Sequence, residues 1–139
     1  MKSFLIKGLL QTLILALLLV PPGPGQAVAE KNPVRLTVLG DSLTAGYGLP
    51  SGEAFPAQLE HALRAEEVAV KVINAGVSGD TTAGGLARLE WVLADRPDIV
   101  LVALGANDAL RGLSPEAAKA NLDAILTRLK DAGVQAVLA

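Results

Sequence analysis

Four short apolar runs, at residues 34–39, 68–73, 98–104 and 134–138, are each separated from the next by an amphipathic stretch. No other feature constrains the fold so tightly. Short runs rich in Val, Ile and Leu read as strands buried on both faces, and strands joined through helices pair in parallel. Residues 54–66 place Phe55, Leu59, Ala62 and Leu63 at helical spacing. A second helix, capped by Asp80 or Thr81, runs through Leu86, Leu89, Val92 and Leu93 and stops before Pro97. The third opens at Ser114-Pro115-Glu116, a capping serine with proline at the first helical position. It buries Leu122, Ile125, Leu126 and Leu129 and ends at Gly133. The order β-α-β-α-β-α-β predicts an α/β fold, a three-layer α/β/α sandwich with helices on both faces of a parallel sheet. Run 98–104 is the most apolar and is predicted to be central. Run 134–138 closes the sequence with nothing after it to cover its edge, so the domain is read as incomplete at its C-terminus.

The N-terminal stretch reads differently. Lys2 and Lys7 precede and open an apolar segment at 8–20, a Pro-Gly run at 21–25 breaks any helix, and Ala27-Val28-Ala29 has the small-x-small pattern of a cleavage site. The apolar core is shorter than the about 20 residues that span a bilayer. The expected organisation is therefore a signal peptide at 1–29 and one domain at 30–139, with no stable membrane anchor after cleavage and a periplasmic or secreted location. Removing Lys2 and Lys7 with that peptide leaves 10 basic against 14 acidic residues, with no basic cluster. A nucleic-acid partner is not expected. The chain has no cysteine, which excludes a cysteine nucleophile and a thiolate metal site. No cluster of His, Cys and carboxylate residues has metal-ligand spacing, so neither metal nor cofactor is expected.

Polar turns follow three of the strands. Gly40-Asp41-Ser42-Leu43 follows the first, Asn74-Ala75-Gly76-Val77-Ser78-Gly79-Asp80-Thr81-Thr82 the second and Gly105-Ala106-Asn107-Asp108 the third. The first has neither the lysine of a phosphate-binding loop nor the G-x-S-x-G pattern of the α/β-hydrolase elbow. Taken alone, Ser42 would read as a helix cap. In parallel sheets, however, ligands bind at the C-terminal ends of strands, where all three turns lie.

Together these turns, with Gly85-Leu86-Ala87-Arg88-Leu89 and Asp108-Ala109-Leu110-Arg111-Gly112, resemble the GDSL or SGNH hydrolase family, in particular its bacterial periplasmic thioesterase, lysophospholipase and arylesterase branch. The resemblance covers residues 34–139 and implies a flavodoxin-like SGNH-hydrolase sandwich. It implies that Ser42 is the nucleophile of an enzyme acting on small acyl esters or thioesters. The oxyanion hole would be the Ser42 N–H, the Gly79 N–H and the Asn107 side-chain amide. Fixed donors stabilise the charge that develops on a carbonyl oxygen under attack. Asp41 and Asp108 are expected to bond local backbone, as aspartates in turns do.

The family's catalytic Asp and His come from a C-terminal Asp-x-x-His motif, which this chain lacks. His61 is the only histidine. Its helical phase puts it off the apolar stripe, so it is expected on a solvated face rather than beside Ser42. These 139 residues are thus expected to be inactive alone. The competing expectation is an acyl- or carbohydrate-binding module with the pocket but no base. Oligomeric state, acyl length and leaving group are not legible here.

Overall fold

In the computed structural model, which describes residues 32–50 and 52–139, the four apolar runs form one parallel sheet. The expected signal peptide at 1–29 lies outside the described residues. Strand β1 spans Val34–Gly40, β2 Val70–Gly76, β3 Ile99–Ala103 and β4 Gln135–Leu138, in the order β2-β1-β3-β4. The register aligns Leu36 with Val72 and Ile99, and Val100 with Ala136. As expected, β3 is interior, between β1 and β4.

Three predicted helices are present, with one division, and two single turns were not anticipated. Helix α1 (Ser42–Ala45) follows β1 and α2 (Phe55–Ala65) precedes β2. Helices α3 (Thr82–Ala87) and α4 (Leu89–Ala94) replace the single helix expected before Pro97. The break is Arg88, at φ −103° and ψ 8°, whose side chain reaches back to Asp80 and to the Gly40 carbonyl. Thr81, not Asp80, caps α3, its hydroxyl accepting from the Gly84 N–H at 3.2 Å. Helix α5 (Ala106–Leu110) follows β3, and α6 (Pro115–Asp131) precedes β4. Strand β2 starts two residues later than predicted because the Val68 N–H bonds the Leu63 carbonyl and still closes α2. It then continues through Gly76 because that residue pairs with Gly40.

Alternation along β1 supplies both cores. Leu36 and Val38 face α2, packing with Val70 against Leu59 and Leu63. Leu39 faces the other way and joins Val100 and Val102 against Leu89 and Val92 of α4 and Ile125 and Leu129 of α6. Phe55, expected on the buried stripe of α2, is instead exposed at its first turn.

The two faces follow from connection order. The path from β1 to β2 runs one way across the sheet, and the paths to β3 and β4 run the other. With crossovers of one hand, reversal puts α2 on one face and the later helices on the opposite one. It also makes the C-terminal ends of β1 and β3 the point where neighbouring strands connect in opposite directions, and there a crevice opens.

Candidate active site

Ser42 is the first residue of α1, half-buried at the end of β1. Asp41 caps that turn, its Oδ1 accepting from the Leu43 N–H at 3.0 Å. A short helix after a strand turns the chain sharply, so the residue at the bend is held at the sheet's edge. A cleft of about 300 Å³ lies here, lined by Asp41, Leu43 and Thr44 after β1 and by Leu104 and Ala106 after β3.

Gly79 lies in the turn after β2 at φ 81°, a backbone conformation that side chains disfavour. The turn is stitched to β1 by the Val77 N–H, which donates to the Gly40 carbonyl at 3.0 Å. On its outer side Arg111 Nη2 donates to the Gly79 carbonyl at 2.5 Å.

Asn107, in α5, joins these two turns. Its Nδ2 donates to the Asp80 carbonyl at 2.9 Å and to Asp41 Oδ2 at 3.2 Å. One side chain therefore touches the chain neighbours of both Ser42 and Gly79. The three residues to which the resemblance points thus lie in turns that Asn107 joins at the sheet's C-terminal edge.

Asp41 bonds local backbone, as expected. Asp108 does not: it is 4% exposed and reaches across to α3. It accepts from the Thr82 N–H at 2.8 Å and from the Thr82 hydroxyl at 2.6 Å. Asn121 of α6 donates in turn to Thr82 Oγ1 at 3.1 Å. A buried carboxylate needs several donors to offset lost hydration, and Thr82 supplies two. The chain Asn121–Thr82–Asp108 fixes α5, and with it Asn107.

His61 is exposed on α2 and lines, with Gly46, Glu60 and Asn74, a cleft of about 360 Å³ that Ser42 does not line. Among the described residues no group of three or more His, Cys, Asp or Glu side chains is arranged to hold a metal ion, and no helix is long and apolar enough to cross a membrane.

Residues 38–139 match the model of the GDSL-like lipase/acylhydrolase family. The chain belongs to this family. An arylesterase from Vibrio mimicus is 44% identical over 113 residues, which are 81% of this chain and 56% of the relative. Thioesterase 1/protease 1/lysophospholipase L1 from Escherichia coli is 42% identical over 104 residues, 74% of this chain and 49% of the relative. The crystal structure of AlinE4, an SGNH-hydrolase family esterase, matches with a TM-score of 0.74 at 49% identity, covering 76% of this chain and 58% of AlinE4. The chain spans about half the length of these curated relatives.

Within this GDSL-family chain, sequence reasoning missed Asp80, Thr82, Arg88 and Asn121. Arg88 had a signal, since it lies in the run Gly85-Leu86-Ala87-Arg88-Leu89, but nothing in that run says what its guanidinium meets. Thr82 was visible only as the last residue of the turn after the second strand, and nothing in the sequence singled out Asn121.

Proposed function

We propose that the protein containing this chain is an exported serine hydrolase of acyl esters or thioesters. One observation supports this above the others: the Asn107 amide is bonded to the residue beside Ser42 and to the residue beside Gly79. Ser42 Oγ attacks the acyl carbonyl and the alcohol or thiol leaves, giving an acyl-enzyme that water then hydrolyses. Charge on the carbonyl oxygen is met by the N–H groups of Ser42 and Gly79 and by Asn107 Nδ2. Both amide hydrogens of Asn107 already have acceptors. The bond to Asp41 is the longer, and it is the one that yields to the oxyanion, while the Asp80 carbonyl keeps the amide aimed.

A serine hydroxyl needs a base to take its proton. His61, exposed on α2 and lining a cleft that Ser42 does not line, is not that base. We assign the role to a histidine outside these 139 residues, consistent with relatives of which the matched segments are only 56% and 49%. No metal or cofactor takes part in these steps.

The test is Ser42→Ala in the full-length protein, assayed on a short p-nitrophenyl ester. Turnover is expected to vanish while the circular dichroism spectrum is unchanged, and a phosphonate ester is expected to label Ser42 in the parent. An alanine variant with most of its turnover would overturn the mechanism. Export is tested separately by N-terminal sequencing of the extracytoplasmic product, expected to begin at Glu30. A product starting at Met1 in the membrane fraction would refute it.

A further inference from the structure

We infer that Arg88 is a positioning residue for the oxyanion hole, tying the Ser42 turn and the Gly79 turn into one unit. The inference rests on the reading of Ser42, Gly79 and Asn107 given above. Arg88 Nε donates to Asp80 Oδ2 at 2.7 Å, and its Nη2 donates to the Gly40 carbonyl at 3.1 Å. Gly40 ends β1, two residues before Ser42. Asp80 follows Gly79, and its carbonyl holds the Asn107 amide at 2.9 Å. One guanidinium therefore fixes the backbone beside the nucleophile and the residue that aims the third donor.

The surroundings are built for this contact. The side chains of Arg88 and Asp80 are only 15% and 12% exposed. A Cβ at Gly84 would lie 1.8 Å from Asp80 Oδ1, so the absence of a side chain there gives the carboxylate its place over α3. The break between α3 and α4 falls at Arg88 itself. A guanidinium can serve a carboxylate and a carbonyl together through separate nitrogens of a rigid fork; a lysine ammonium is a single point on a flexible stem. Lysine can keep the Asp80 pair, but it gives up the Gly40 branch or holds it loosely.

The role predicts a loss in the chemical step rather than in substrate binding, since small displacements of aligned groups cost up to about 100-fold in rate. In the full-length protein, Arg88→Lys should lower kcat on a short p-nitrophenyl ester by about 10- to 100-fold, with KM changed by less than about threefold. Asp80→Asn keeps the shape and removes the charge, and should move kcat in the same direction. Arg88→Ala should regain part of its kcat when guanidinium is added at tens of millimolar, a concentration that does not raise the parent's rate. Circular dichroism melts establish that each variant is folded at the assay temperature. Should Arg88→Ala not fold, the other two variants carry the same test.

Ser42→Ala is run alongside. If Ser42→Ala is inert while Arg88→Lys and Asp80→Asn keep the parent's kcat, the role of Arg88 is refuted and the nucleophile stands. Loss that appears only as raised KM, or only in proportion to the unfolded fraction, refutes it as well. If Ser42→Ala keeps its turnover, the reading of the site falls and this inference with it.

Discussion

At Asn107, a single amide serves as both a structural tie and a proposed electrostatic donor. Its two hydrogens bond Asp80 and Asp41 in the resting site, so the donor is aimed before substrate arrives. The Asp80 bond keeps the amide in place, so only the longer bond to Asp41 has to yield as charge develops, and loss of such a donor falls on the transition state. Asn107→Ala in the full-length protein should lower kcat by about 10²–10³, the range for losing one such donor, with little change in KM. Raised KM at unchanged kcat would make Asn107 a substrate-binding residue instead. Ser42, Gly79 and Asn107 could be proposed from the sequence because the motifs that carry the family resemblance are each set in a short contiguous turn after a strand. Thr82, Arg88 and Asn121 were not, because each acts on a partner far along the chain: 26, 48 and 39 residues away. Asp108 was misread for the same reason. A turn aspartate with local donors and one serving a distant threonine look alike in sequence.

Elements were legible where local chemistry dictates them and obscure where tertiary contacts do. The start of α6 is the first kind. Ser114 accepts from the Ala117 N–H at 3.3 Å and donates to Glu116 Oε2 at 2.6 Å, with Pro115 between them. Ser114→Ala should cost about 1 kcal/mol, the usual loss for a capping hydroxyl. Glu116 adds a pH signature. The Ser114 hydroxyl, and then its own backbone N–H, hold its carboxyl below the ordinary glutamate value. A lowered folded-state pKa means the folded chain favours the ionised form. That contribution is present above the unfolded-state pKa and is lost as pH falls through the folded value. Urea melts of the full-length protein should therefore show a larger effect of Ser114→Ala at pH 7 than at pH 3, and an NMR titration should place Glu116 higher in the variant. Equal losses at both pH values would mean that the Glu116 bond adds nothing. The break at Arg88 and the late start of β2 are the second kind. Periodicity runs straight through Arg88, where the helix divides and the side chain bonds Asp80 and the Gly40 carbonyl. Likewise, Val68 looks like strand until its N–H is seen closing α2.

For the molecule as a whole, sheet order decides how these 139 residues behave alone. β4 pairs with β3 on one side, and all four of its residues are exposed, Val137 at 46% and Leu138 at 51%. On the α2 face, Ile99 and Leu101 of β3 are only partly buried, because α2 packs against β2 rather than over this side of the sheet. An apolar strand with an unpaired row of N–H and C=O groups is a template for another chain. Residues 30–139 expressed by themselves should therefore self-associate, eluting from size exclusion as dimers or larger species in a concentration-dependent way. The same polypeptide should not turn over a chromogenic ester above background, since a serine needs a base and His61, its only histidine, lines a cleft that Ser42 does not line. Placing a lysine at Val137, which faces solvent at the edge, should shift the elution toward monomer without creating activity. A monodisperse monomer whose turnover depends on both Ser42 and His61 would defeat the edge argument and the exclusion of His61 together.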